Sequence, residues 1–283
     1  MGRKIFVILT MFMGLGFSGC GTAKNSLQIK GSDTMVNLLQ SWAEKYMQKN
    51  PGFFAAVTGG GSGTGIASLI NGTCDIAASS RNIKEKEVSQ AKQSGVVPYE
   101  TKVALDGLAV VVNPKNSVSR LTIEQIARIF TGRITNWKEL DGENKKIVVL
   151  SREVNSGTHV YFKEHVLRTG NPNSKEEFSP YALLLSSSQA IADEVATNPS
   201  AIGYYGMGYL SPKQKPVLVA KDEKSKYMLP IIENVVNGKY PISRPLFLYT
   251  NGTPEGPVKK FVDFILSKEG QEIVLETDFV PIK

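Results

Sequence analysis

The sequence predicts an α/β fold, a mixed sheet crossed by helices and long enough to divide into two lobes joined by two extended segments. Three observations carry that expectation. From Leu27 onward, short β-branched or apolar runs alternate with segments of helical spacing, the pattern of strands with crossover helices rather than of a sandwich or a bundle. The 283 residues, 41% of them hydrophobic, suffice for two ordinary lobes or one large domain. No Pro/Gly/Ser-rich linker separates two halves, so lobes must be joined by ordered chain. Two segments qualify, the apolar run 103–112 and the stretch YPISRPLFLY at 240–249, whose Pro241 and Pro245 exclude a helix.

The chain opens on MGRKIFVILTMFMGLGFSGC, in which Arg3 and Lys4 precede an apolar run over 5–17 that is too short for a stable membrane span. Residues 1–19 are expected to be an export signal. Its end, Phe17-Ser18-Gly19-Cys20, resembles the lipobox of bacterial lipoproteins, with Phe where Leu is usual. Cys20 is then the acylated N-terminus and 20–26 a polar tether; the alternative is an ordinary cleaved secretory signal. Beyond the tether the expected order is strand 27–30, helix 34–50, strand 53–57, a glycine loop, helix 65–71, strand 102–112, helix 122–131, strand 146–150, helix 158–167, helix 188–197, strand 201–204, strand 246–249 and helix 256–266. No internal repeat covers the chain.

Charge and the scarce reactive residues narrow the function. The formal charge is +7, and the 33 basic residues fall to 31 when Arg3 and Lys4 leave with the leader, against 26 acidic, for about +5. The basic residues are scattered, without a long run or an aromatic-basic module, which argues against nucleic acid and for a small anion or membrane headgroups. Of the two cysteines, an acylated Cys20 leaves Cys74 unable to form an intramolecular disulfide, as a buried small hydrophobe. His159 and His165 stand six apart, off a common helix face, and no Cys/Asp/Glu cluster completes a metal site; neither metal nor cofactor is expected.

The stretch TGGGSGTG at 58–65 has five glycines in eight residues, between a strand and a helix carrying Ile66, Ala67, Leu69 and Ile70. Ser62 and Thr64 stand where N-cap and first-turn residues belong. Backbone N–H groups at the positive end of a helix attract anions, although a plain capping turn explains the stretch equally well. Nucleotide fingerprints do not fit, nor does a Gly-x-Ser-x-Gly elbow, because Thr64 follows Ser62 by two. Ser-Gly-Thr recurs at 156–158, again between a strand and a helix and now preceded by Arg152 in SREVNSGT. Gly31-Ser32-Asp33-Thr34-Met35 is a third junction of the same type. Three small polar turns and a guanidinium are the donors a tetrahedral anion needs.

These stretches carry a resemblance. GSDTM, TGGGSGTGIASLINGTCDIAASSR, LTIEQIARIFTGRITNWKEL, SREVNSGTHVYF, NPSAIGYYG, YPISRPLFLYTNG and FVDFILSKEGQEIV, spread over essentially the whole mature chain, resemble the phosphate-specific substrate-binding proteins of bacterial ABC transporters, the PstS family. The resemblance implies the two-lobed periplasmic-binding-protein fold of type II, with lobe 1 over 27–106 and 246–283 and lobe 2 over 107–245. It implies a monomer outside the cytoplasm that closes on inorganic phosphate and delivers it to the permease and ATPase subunits of a transporter, held to the membrane by its lipid. The Thr34 hydroxyl, the Met35 backbone N–H and Ser62 would meet the anion from one lobe. Arg152, the Ser156 hydroxyl, the Gly157 backbone and Thr158 would meet it from the other.

One position departs from the better-known branch of that family. Ser80, in AASSR, stands where an aspartate accepts the proton of hydrogen phosphate, so rejection of sulfate is less secure. Arg81 is expected to add a second cation. Asp33 and Glu153 are candidate substitute acceptors, against readings as an N-cap carboxylate and as the ion-pair partner of Arg152. A receptor for sulfate or molybdate and a phosphate sensor remain open. An enzyme using Ser62 or Ser156 as nucleophile lacks partners, with His159 the one suspicious neighbour.

Overall fold

Two large hydrophobic cores, with two smaller clusters beside them, lie along one continuous sheet in the computed structural model, which describes residues 26–282. The expected leader, Cys20 and most of the expected tether lie outside the described residues. The chain runs β1 (Ser26–Gly31), a 3-10 turn (Asp33–Met35), α1 (Val36–Lys49), β2 (Phe54–Thr58), α2 (Ser62–Ile70), β3 (Ile76–Ser79), α3 (Glu85–Gln93) and the long β4 (Pro98–Val112). It continues with β5 (Arg120–Thr122), α4 (Ile123–Phe130), β6 (Val148–Arg152), α5 (Gly157–Phe162), β7 (Leu183–Leu185), α6 (Ser188–Thr197), β8 (Ala201–Gly206), β9 (Lys215–Pro216), β10 (Leu218–Ala220) and α7 (Ile232–Val236). β11 (Ser243–Asn251), α8 (Gly256–Leu266) and α9 (Lys268–Glu276) complete it.

The sheet order is β2-β1-β3-β11-β4-β8-β6-β7, with β9 beside β4 and a separate β10-β5 pair. β1 runs parallel to β2 and β3, and β6 parallel to β7 and β8, as crossover helices require, whereas β11 and β4 are antiparallel to their neighbours. β4 belongs to both halves. Its first part, from Pro98 to Gly107, pairs with β11, and its last part, Leu108 to Val112, pairs with β8. One core gathers Ile29, Leu38, Trp42, Ile76, Leu246 and Phe261; the other gathers Leu108, Phe130, Trp137, Phe162, Tyr204 and Val217, with Tyr204 stacked on Phe162 at 3.8 Å. The tail divides between them. Phe279 packs in the first core and Val280 in the second, where Leu105 N–H donates to Val280 O at 2.7 Å.

The differences from the sequence reading have local causes. β3 was not expected because IAAS lacks the β-branched alternation of a strand, yet all four residues are buried between β1 and β11, and tertiary pairing decides. α3 (EKEVSQAKQ) buries only Ala91, so no apolar period announces it. α9 was read as part of a motif without being assigned; Ser267 caps it, accepting from Gly270 N at 3.2 Å. The strand expected at 146–150 lies at Val148–Arg152, which places Arg152 at its C-terminal end.

Candidate functional site

The three strand-to-helix junctions meet face to face between the two cores. On one side Gly31 ends β1 at φ +139°, and a Cβ there would lie 2.1 Å from Ala78 O, so only glycine lets β1 and β3 approach this closely. Ser32 N then donates to Ala78 O (2.8 Å) and Gly61 N to Gly31 O (2.9 Å), tying the first turn to the glycine loop. From the other side comes the turn between β6 and α5. Gly63 N donates to Asn155 O at 3.0 Å, Asn155 Nδ2 donates to Gly60 O at 2.7 Å, and the Thr34 and Thr158 hydroxyls are 2.8 Å apart. Gly157 is so close to the glycine loop that a Cβ on it would lie 2.2 Å from Ser62 Oγ and 2.7 Å from Ser80 Oγ. The buried hydroxyls thus fall into two contacting sets, Thr34 with Thr158 and Ser62 with Ser80 and Ser32, with Gly157 between Ser156 and Thr158 packed against the second.

Their directions follow from their partners. Ser62 is the first residue of α2, after Gly61 as N-cap, and its Oγ accepts from Ser80 N (3.0 Å) instead of capping its own helix. Ser32 Oγ donates to Ser80 Oγ (2.9 Å), which lies 3.3 Å from Ser62 Oγ. Ser156 is a true N-cap whose Oγ accepts from Thr158 N and His159 N at 3.2 and 3.4 Å, leaving its proton to give away. Gly157, first in α5, has a backbone N–H without an intrahelical acceptor.

Arg152 is buried, and its guanidinium is mostly engaged. Nε donates to Leu185 O (3.3 Å), Nη1 to Ser188 Oγ (2.9 Å) and Nη2 to Ser186 O (2.8 Å), while Nη1 also forms an ion pair with Asp33 Oδ2 at 3.1 Å. Three of its N–H groups are thus spent within the protein. Burial lowers its pKa and the Asp33 carboxylate opposes that, so the charge persists through its pairing.

Four expectations need correction. The Met35 N–H is not available, because the 3-10 turn spends it on Ser32 O at 3.0 Å. Arg81 does not join the hydroxyl cluster as a second cation; its fork grips Glu87 at 2.6 and 2.8 Å and Asn82 O at 2.9 Å, fastening the start of α3. Asp33 is no cap of its own turn. It is the ion-pair partner of Arg152 and accepts Ser188 N at 2.8 Å, crossing to the start of α6. Glu153, read as that partner, is exposed, since it follows a buried strand residue and faces the other way.

Sequence reasoning missed Arg244. This residue of β11 is 2% exposed, and its Nη2 donates to Thr158 Oγ1 at 2.9 Å and reaches Thr34 Oγ1 at 3.5 Å. The signal is an arginine inside the apolar strand of YPISRPLFLY, a segment to which the sequence reading gives a strand and a connecting role but no ligand-directed residue.

Among the described residues the His159 ring makes no hydrogen bond to Ser62 or Ser156. Its Nδ1–H donates to Arg152 O at 2.8 Å and lies 3.3 Å from Ser151 Oγ, while the ring packs 4.4 Å from Phe178. Burial, helped by Lys163, pushes the imidazole down to about 4 from an ordinary 6.5. Because the folded value lies below the unfolded one, its contribution to stability is complete above about 6.5 and lost as pH falls toward about 4. The melting temperature is therefore expected to fall less between about pH 7 and about pH 5 in His159→Gln than in the wild type. Equal slopes in the two would rule out a buried neutral imidazole. Cys74 is buried too, and burial raises its thiol to about 11, which makes it inert.

Comparison with known proteins places this geometry. The family model described as a PBP superfamily domain matches residues 18–269. Among curated proteins, the phosphate-binding protein PstS of Bacillus subtilis is 34% identical over 92% of this chain and 82% of its own, and that of Pseudomonas aeruginosa 32% identical over 91% and 83%. Among solved structures, a phosphate ABC transporter substrate-binding protein of Clostridium perfringens with bound phosphate superposes with a TM-score of 0.82, at 35% identity over 92% of this chain and all of that one. An ABC-type phosphate transport receptor of Vibrio cholerae follows at 0.71, with 31% identity over 90% and 99%.

Proposed function

The chain belongs to the PstS phosphate-binding proteins of the PBP superfamily, and from that premise we propose that it binds inorganic phosphate outside the cytoplasm and hands it to an ABC transporter. The observation that carries this reading is the meeting of donor turns from two sides, Thr34 on Thr158 and Gly157 against Ser62 and Ser80. Phosphate is held by the hydroxyl protons of Ser62, Ser80 and Ser156, by the one proton that the hydrogen-bonded Thr34–Thr158 pair turns to the cleft, by the Gly157 N–H and by an N–H of Arg152. Hydrogen bonds to a charged group contribute about 1.5–3 kcal/mol each, whereas micromolar affinity needs only about 8 kcal/mol in all. The surplus goes to stripping water from the anion and ordering the halves.

In this reading 27–106 with 246–283 forms one lobe and 107–245 the other, the crossings falling in β4 and β11. The anion first meets Thr34 and Ser62, and closure brings in the turn of Ser156, Gly157 and Thr158. On this reading the contacts of Thr34 with Thr158 and of Gly157 with Ser62 belong to the closed form, and the closed shape is what the permease recognises. A lipid on Cys20, after removal of 1–19 as a leader, holds a monomer to the membrane through the tether 20–26. Binding involves no chemistry; the relatives are substrate-binding proteins.

Titration calorimetry of the protein with phosphate, sulfate and molybdate tests the reading, and tighter binding of either rival anion replaces phosphate as cargo. The second reading, a receptor of broader anion taste, is favoured by Ser80. Its oxygen already accepts from Ser32, so it offers a proton where a carboxylate would take one. Ser80→Asp is expected to raise the preference for phosphate over sulfate by about tenfold or more, the scale of one buried acceptor gained. Sulfate competition that is the same in both proteins would refute this account of selectivity.

A further inference from the structure

Arg244 and Asp106 are register partners on β11 and β4, the two strands that carry the chain between the cores, and both side chains are wholly out of water. Nε and Nη2 of Arg244 donate to Asp106 Oδ2 at 3.1 and 2.9 Å, and Asp106 Oδ1 accepts Met207 N at 3.1 Å. Gly206 makes room for the pair: a Cβ there would lie 2.9 Å from both Asp106 carboxylate oxygens and 2.8 Å from Thr34 Cγ2. The guanidinium carbon stands 5.5 Å from the Tyr161 ring centroid, and the Tyr161 hydroxyl is tied to Ser243 O at 2.6 Å. The ion pair is thus held on several sides, and from it Nη2 reaches Thr158 Oγ1 at 2.9 Å and Thr34 Oγ1 at 3.5 Å. Nη1, equally buried, has no hydrogen-bond partner among the described residues. A buried donor left unpaired is costly, which makes this corner of the molecule incomplete by itself.

A hydroxyl has one proton and two acceptor sites. A guanidinium can only donate, so at Thr158 it fills an acceptor site and can never take the proton. The Thr158 proton must then go to Thr34 or to the cleft, and when it goes to Thr34 the proton of Thr34 turns outward. Without the guanidinium the same two hydroxyls could satisfy each other with a lone pair facing the cleft, which repels an anion.

We propose that Arg244, braced by Asp106, is a positioning residue of the anion site: it sets the Thr158–Thr34 hydroxyl pair so that the pair turns its free proton to phosphate. Because Thr34 and Thr158 come from opposite sides of the cleft and the ion pair is rooted in both connecting strands, the setting is complete only when the halves are together. This rests on the phosphate reading above and adds a second guanidinium that acts through hydroxyls.

The test is a cycle of phosphate titrations by calorimetry on the wild type, the paired variant Arg244→Met/Asp106→Asn, Thr158→Val and the triple variant. Removing both charges together leaves neither buried alone. The paired variant is expected to bind about 10-fold to 100-fold more weakly, and the triple variant within about twofold of Thr158→Val alone, because the two act through one hydroxyl. A paired variant within about twofold of the wild type, or losses that multiply in the triple variant, overturns the role. Should the paired variant fail to fold, the Arg244 side-chain N–H resonances of the wild type decide: phosphate is expected to shift them, and resonances unmoved at saturation overturn the role. A wild type that takes up no phosphate sinks the phosphate reading itself, whereas one that binds beside an unaffected paired variant sinks only the part given to Arg244.

Discussion

Gly157→Ala is expected to weaken phosphate binding by about 100-fold while leaving the melting temperature of the phosphate-free protein within a few degrees of wild type. Alanine is the best helix former and Gly157 opens α5, so within its own helix the change is neutral or better. If the halves close on the anion as proposed, the cost arises only when the cleft is shut. The new methyl would stand 2.2 Å from Ser62 Oγ and 2.9 Å from Ser62 Cβ, so turning the serine hydroxyl aside does not relieve it. Overpacking of this kind costs about 1–3 kcal/mol or more, the order of the predicted loss. Gly65→Ala is the control. There the methyl would meet Lys30 O at 2.5 Å and Gly31 Cα at 2.6 Å, within one half of the molecule, so it should lower stability whether or not phosphate is present. Calorimetry with small-angle scattering separates the two, and a Gly157→Ala protein that binds and contracts as the wild type does would disprove closure onto this turn.

Arg152→Ala is expected to lose about 100-fold or more in phosphate affinity and several degrees of melting temperature, with the fold intact. Two losses add. The guanidinium donors offered to the anion go, and the Asp33 carboxylate is stripped of its partner, which leaves an uncompensated negative charge beside the site. Truncating one member of a buried charge pair typically costs about 2–5 kcal/mol at an interface. The stability loss has its own source, since Arg152 also holds Leu185 O, Ser186 O and Ser188 Oγ and so fixes the approach to α6. Asp33→Asn/Arg152→Ala should recover part of the affinity by removing the repulsion. Unchanged phosphate affinity in Arg152→Ala refutes the part assigned to this residue.

The sequence by itself determined the α/β alternation, the glycine loop and the three small polar junctions, because these depend on residues close together along the chain. A β-branched run, a helical period and a Ser-Gly-Thr turn each state their local conformation through backbone preference and capping. It also singled out Arg152, Ser62 and Ser156, each at or next to one of those junctions. What it could not decide is where buried charges spend their hydrogen bonds. Arg81 turned to Glu87 and Asp33 crossed to Arg152, while Arg244, 86 residues from Thr158 in the chain, became the cation on that hydroxyl. Such pairings are chosen by through-space neighbours. Once water is excluded, each ion must take the partner the sheet order brings within reach, and β11 lies beside β4 only in the folded chain.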